Sequence, residues 1–170
     1  MENNNVMDMA KYLIHKNPAL FNSKQLFKKN DLKMYKGEFM LHKLLHLAQV
    51  FHLLIKNKPL FSVNEEVAYN NGPVIISIRK QHNKPLIFNT KSEINLSKEI
   101  KSFIDNIYLF FEDANPDELF EITHYDQCWK EAFQKSEKNI DDGKMDVRNY
   151  IDFYKKEYKI AIDHFSELYL

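Results

Sequence analysis

A single cysteine, Cys128, stands in the 170 residues, so no internal disulfide can form and a reducing compartment suits the chain. Three glycines and five prolines are too few for a turn-rich all-β fold, and their scarcity favours helices. Neither sign of charge is in excess: 24 basic and 24 acidic residues give a formal charge of zero. A dedicated nucleic-acid binder ordinarily carries a positive surplus, which demotes that class of partner. Arginine is confined to Arg79 and Arg148, so most bidentate phosphate forks are missing as well. No apolar run is long enough for a membrane. The longest, 39–55, is broken by His42, Lys43, His46, Gln49 and His52, whereas a span needs about 20 predominantly apolar residues. The opening MENNNVMDMAKYLIHKN has an early acid and no sustained apolar stretch, so a signal peptide is not expected. The composition predicts a soluble, cytoplasmic protein.

Against these absences stand 44% hydrophobic and 14% aromatic residues, enough for a real core, and a length that suits one domain over 1–170. Helical spacing of Val6, Met9, Ala10, Leu13 and Ile14 predicts a first helix over 6–15, ended by Pro18. The Lys-rich 22–36 reads as a short helix anchored by Leu26, Phe27 and Leu32 and capped by Asn22 or Ser23. Gly37 opens the strongest helix, 38–56. Its apolar residues cover most of the circumference, and His42, His46 and Gln49 share the one remaining arc. A helix apolar nearly all round belongs in the middle of a bundle. Asn70-Asn71-Gly72-Pro73 reads as a turn, with Gly72 at positive φ and Pro73 opening a helix through about Gln81. The stretch 83–95 reads as an exposed loop or one short hairpin. Ser97 caps a helix to about 112, Asn115-Pro116-Asp117-Glu118 is a capping box, and Asp126 caps a Trp129-bearing helix. A last helix spans about 146–168. The predicted fold class is therefore an all-α, single-domain helical bundle around a central buried helix at 38–56.

Three separated pieces carry a resemblance. Leu41, Lys43, Leu44, Leu45, Ala48, Gln49, His52 and Leu53, continuing into Lys58-Pro59-Leu60-Phe61, form the first. Ala68-Tyr69 with Gly72-Pro73-Val74 form the second, and Thr123-His124 with Trp129 and Ala132 the third. With Met9-Ala10-Lys11-Tyr12 ahead of them, they resemble in order and approximate spacing the Panacea domain, or SocA-like, family over about 6–154, leaving 155–170 as a C-terminal helical extension. Members are mostly antitoxins in bacterial and phage toxin–antitoxin pairs. The resemblance implies an antitoxin-like protein that neutralises a toxin encoded nearby through direct protein–protein binding. The alternatives are an adaptor that delivers a bound toxin to a protease, or a metal protein or enzyme built on His42, His46, His52 or His124. The chain departs at Met40, His46-Leu47, Phe51 and Tyr69, where the family usually has Lys, two aromatics, Trp and Trp, and 18–36 is longer than the usual link. The family-motif residues Lys43, Leu44, Leu45, Gln49, His52, Pro59, Leu60, Phe61, Tyr69, Gly72, Pro73, Val74, Thr123, His124 and Trp129 are expected to be mainly structural. Partner contacts are expected on the long link, at Lys28, Lys29, Lys33, Tyr35 and Lys36.

No catalytic or metal residues are assigned, no cofactor is expected, and the protein is read as not an enzyme. His42-Lys-Leu-Leu-His46 has the i, i+4 spacing of a zinc-protease helix, but Lys43 occupies the place of the general-base Glu. The two histidines read instead as a stripe facing solvent or a partner. His52 reads as a satisfied core histidine, and beside His124 the residues Thr123 and Asp126 read as capping groups between two helices, in preference to an acid-oriented imidazole. Cys128 reads as a small buried hydrophobe. The lysines at 24, 28, 29, 33 and 36 read as a solvated face or a docking surface for an acidic protein.

Overall fold

The computed structural model describes residues 4–29, 31–81, 93–138 and 143–170. Asn5 accepts from Met7 N–H and starts α1 (Val6–Lys16). Asn17, not Pro18, ends that helix, and Pro18 sits instead at the first turn of α2 (Pro18–Phe21). The next segment corrects the sequence reading. Residues 22–36 are not a helix but an antiparallel hairpin, β1 (Leu26–Lys29) and β2 (Leu32–Tyr35), with Leu26 opposite Tyr35 and Lys28 opposite Lys33. Period-two alternation puts Phe27 and Met34 on the inner face, where the Phe27 ring lies 4.7 Å from Phe39, and leaves Leu26, Lys28, Lys33 and Tyr35 on the outer face.

The chain then enters α3 (Lys36–Lys56), closed by Asn57 in the left-handed region. Gly37 is required here: a Cβ would lie 2.6 Å from both Phe21 O and Ser23 N, the main chain that leads into the hairpin. Leu44, Leu45, Ala48 and Phe51 are all buried, as the near-continuous apolar surface requires. Burying each such leucine or phenylalanine is worth about 1.5–3 kcal/mol. α3 touches the first hairpin, α1, α2 and most of the elements that follow it in the chain.

A 3₁₀ turn (Val63–Glu65) leads to a second hairpin, β3 (Glu66–Tyr69) and β4 (Gly72–Ile75). Gly72 takes φ +96°, but Pro73 does not open a helix. It stands in β4 opposite Ala68, tolerable in a two-stranded ladder that leaves its missing N–H on an outer edge, and α4 begins three residues later (Ile76–Gln81). The expected loop or hairpin at 83–95 lies largely outside the described residues. Ser97 caps α5 (Lys98–Phe110), and the Asn115–Glu118 capping box forms as read at the start of α6 (Pro116–Tyr125). Asp126 accepts from Trp129 N–H and caps α7 (Gln127–Ser136). The last long helix is in fact three pieces, a 3₁₀ turn (Val147–Tyr150), α8 (Ile151–Glu157) and α9 (Lys159–Tyr169), broken at Tyr158. The described fold is thus mostly helical with two small two-stranded sheets, and not strictly all-α.

The larger core cluster joins α1, α3, α5, α6 and Phe165 of α9; a smaller one gathers Val50, Leu53, Cys128, Ala132, Met145, Val147 and Tyr154. Phe165 is wholly buried among the rings of Phe51, Phe103 and Phe110 at 5.4–6.0 Å. Among the described residues, no helix is long and apolar enough to cross a membrane.

Candidate functional site

Lys43, Thr123, His124 and Trp129 of the motif pieces meet around the second hairpin, and most of the polar motif residues bind main chain. Lys43 reaches from α3 to donate to Pro73 O at 2.8 Å. Trp129 Nε1 donates to Tyr69 O at 2.9 Å. Gly72 is where these pieces touch: a Cβ there would lie 3.0 Å from Lys43 Nζ, 3.2 Å from His124 Cε1 and 3.2 Å from Thr123 Oγ1. On the other half of α3, Gln49 accepts from the N–H groups of Leu60 and Phe61 and donates to Phe61 O, while His52 Nδ1 lies 2.8 Å from Lys58 O. Pro59 precedes this clamp, and Leu60, Phe61 and Val74 are buried with Leu44 and Leu45. Thr123 is no cap: its hydroxyl donates back to Leu119 O within α6. Tyr69 is 42% exposed.

His124 stacks on Phe120 and places Nδ1 2.8 Å from Phe120 O and Nε2 2.9 Å from Asn70 O. Burial, opposed by those two carbonyls and reinforced by Lys43, lowers its pKa. A neutral ring has one N–H for two acceptors, so only one of these contacts is a hydrogen bond in the neutral form.

The arc of His42, His46 and Gln49 does not face solvent; all three are buried. Its polar groups are satisfied by partners that local sequence does not reveal. His42 Nδ1 accepts from Ile75 N–H at 3.0 Å, so Nε2 carries the proton and points at Glu38 Oε1, 3.3 Å away. Burial, outweighing the Glu38 hydrogen bond and helped by Lys43 and Arg79, pulls this imidazole down to about 4. His46 is the opposite case. Its Nδ1 lies 2.7 Å from Glu66 and its Nε2 2.8 Å from Asp126, and both partners are as buried as the ring itself. Burial alone would lower its pKa, but attraction to Glu66 and hydrogen bonds to Asp126 and Glu66 lift it to about 10. Tyr154 also donates to Asp126, at 2.9 Å. Asp126 therefore does orient an imidazole, that of His46 eighty positions earlier and not that of neighbouring His124.

Lys43, 1% exposed, is lowered to about 7 by burial, against the pull of Glu38 and Glu66. Cys128 is buried, and burial beside Asp126 and Glu66 pushes its thiol far up, so it is no nucleophile. Among the described residues, no group of three or more His, Cys, Asp or Glu is arranged to hold a metal.

The long-link residues divide by face. Lys28, Lys33 and Tyr35 are exposed, with Lys24 5.3 Å above the Tyr35 ring and Leu26 54% exposed beside it. Lys29 turns the other way, 3.1 Å from Asp117 and 3.2 Å from Glu121, and lies over the Phe120 ring. Lys36 is half-buried at the start of α3, and its N–H closes the hairpin base on Gln25 O. Between the two hairpins, above the first turns of α3, opens a cleft of about 450 Å³. Lys33, Glu38, His42, Lys43, Tyr69 and Arg79 are among its lining residues. Of these, sequence reading left Glu38 and Arg79 unassigned. Arg79 donates to both Glu38 oxygens, at 3.0 and 3.3 Å, across 41 positions, and no local pattern announces that pairing.

This geometry defines a class before a family: a helical scaffold whose recurring polar residues fasten its own main chain, with reactive groups buried or paired. The antitoxin SocA-like, Panacea domain model matches residues 41–130, and the chain belongs to that family. No curated protein and no solved structure matches it.

Proposed function

We propose that this protein is an antitoxin that neutralises a cognate protein toxin, encoded nearby, by direct binding and not by turnover. Family membership supports a protein partner. The observation that carries the reading further is the outer face of the first hairpin. There Lys28 stands directly opposite Lys33, and among the described residues neither has a carboxylate within salt-bridge reach. Like charges opposed across a ladder are destabilising, and acidic groups of a partner would offset that. Residues 22–36 hold five lysines and one aspartate in a chain whose overall charge is zero. Leu26 and Tyr35 on the same face add the apolar contact that an electrostatic encounter lacks. A specific interface needs roughly 800 Å² per partner, within reach of this hairpin and its flanks. Lys28, Lys33 and Tyr35 are the proposed contacts; Lys29 and Lys36 hold the hairpin in place.

Co-expression with each neighbouring gene product tests this, with rescue of growth and affinity capture as readouts. Lys28→Glu with Tyr35→Ala should abolish rescue in a protein that still folds, whereas His124→Ala and Cys128→Ser should keep it. Absence of complex and rescue with every neighbour would overturn the reading.

A further inference from the structure

We propose that the toxin adds an extended, acid-bearing segment as a third strand along the outer edge of β1. This deepens the antitoxin reading and rests on it. The ladder fixes which main-chain groups are open. Lys36 N–H donates to Gln25 O at 2.8 Å, so residues 25 and 36 form a hydrogen-bonded pair. Alternation makes Phe27 with Met34 and Lys29 with Leu32 the next bonded pairs, and it turns the main chain of Leu26 and Lys28 away from β2. These two residues thus direct two N–H donors and two carbonyl acceptors out of the hairpin. Among the described residues nothing bonds those four groups, and both side chains are exposed. An exposed edge with unpaired main chain is a template for one more strand.

The edge and the occupant follow from what flanks the hairpin. On the β2 side, Asp31 to Met34 line the cleft, and Tyr69 to Asn71 of the second hairpin line it too. β1 lines no part of that cleft, so its edge is the open one. On the outer face Lys28 stands opposite Lys33, and neither has a carboxylate within salt-bridge reach. A residue of an added strand directly across from Lys28 would have its Cβ about 5 Å away on that same face. Aspartate or glutamate there answers the unpaired lysine, whereas a lysine would add a third like charge. A second copy of this hairpin is excluded on the same ground, because residues 22–36 hold five lysines against one aspartate. Lysines on an edge strand keep identical chains apart, and here they leave the edge open to a strand of opposite charge. Leu26, 54% exposed, offers apolar contact two positions along the same face.

The test uses the full chain and a capped hexapeptide of alternating Glu and Val, followed by amide NMR and hydrogen exchange. Controls are the Lys-Val counterpart and the Glu-Val peptide N-methylated at every residue, which keeps the charge and removes the main-chain donors. The Glu-Val peptide should bind saturably and slow exchange of the Leu26 and Lys28 amides, leaving those of Phe27 and Lys29, already in the ladder, unchanged. Lys28→Glu or N-methylation should weaken this binding about tenfold or more. Leu26→Pro removes one outward N–H and no ladder bond, so it should reduce capture of the partner more than Leu26→Ala does. Unshifted Phe27 and Met34 amides report an intact hairpin in each variant, and the N-methylated peptide decides the matter if the proline disrupts it. No saturable binding, equal binding of the N-methylated peptide, or binding of the Lys-Val peptide would overturn the proposal. So would a captured partner under which the Leu26 and Lys28 amides exchange as fast as in the free protein, and that result would leave the antitoxin reading standing. If no neighbouring product is captured at all, the antitoxin reading fails, and the peptide titration still decides whether β1 accepts an acidic strand.

Discussion

Lys43→Met should unmask a pH dependence of stability that the wild-type protein conceals. Two buried cations on successive turns of α3 have their pKa values displaced in opposite directions. His46 is raised from 6.5 to about 10, so its contribution is fully present below pH 6.5 and is lost as pH rises through 10. Lys43 is lowered from 10.5 to about 7, so the penalty for burying its charge is greatest below pH 7 and is relieved as pH rises toward 10.5. Between pH 7 and 9 the folded state lacks a proton at Lys43 that the unfolded state keeps, and keeps a proton at His46 that the unfolded state has shed. The two slopes cancel. Each alone is worth about 1.4 kcal/mol per pH unit, hence about 3 kcal/mol over the window. Methionine fills the lysine's volume without a charge, and removing a nearby cation can only hold the His46 proton more firmly. Urea unfolding followed by Trp129 fluorescence at pH 7, 8 and 9 should give a nearly constant stability for wild type. For Lys43→Met it should give a loss of about 3 kcal/mol. His46→Phe should lose the falling slope and be destabilised by about 3–5 kcal/mol at pH 7, since Glu66 and Asp126 are left buried without their cation. A Lys43→Met protein as indifferent to pH as wild type would refute the cancellation.

Three further expectations follow from geometry. Gly72→Val places a branched side chain at φ +96° against Lys43, Thr123 and His124, and should cost about 1–3 kcal/mol from backbone strain, read as a lowered thermal midpoint; an unchanged midpoint would show that the turn relaxes freely. Leu45→Ala, in the wholly buried middle of α3, should cost about 2–5 kcal/mol in the same urea assay, and less than 1 kcal/mol would mean that the site collapses around the loss. Purified protein should carry well under one zinc per chain by elemental analysis, because both ring nitrogens of His42 and of His46 are already engaged; stoichiometric metal lost in the His42→Ala, His46→Ala double variant would contradict this.

What could be read from the sequence was what is encoded locally. Ser97, Asn115 and Asp126 act within three residues of themselves, so their caps were legible, and the apolar circumference of α3 announced its burial. The first hairpin was not, because lysines fall on both of its faces. Lys29 points inward only because Asp117 and Glu121 of α6 await it nearly ninety positions later, and that hid the alternation. Pro73 misled for a related reason. A proline after a glycine suits a helix start, and nothing nearby reveals that its carbonyl is the acceptor for Lys43. The buried ion cluster was the least visible feature. His46 looked like a polar stripe because Glu66 and Asp126 stand 20 and 80 positions away.

Phe165 has a bearing on how the chain is made. It seals the aromatic side of α3, yet it is translated more than a hundred residues after Lys56 completes that helix. At about 5–20 residues per second, the ring of Phe51 waits roughly 5–20 s for the last of its neighbours. Throughout that interval the central helix is synthesised but uncovered on one side. The protein thus passes through a stage in which its most apolar element is open to chaperones, to proteases and to other nascent chains, and closure comes only with α9.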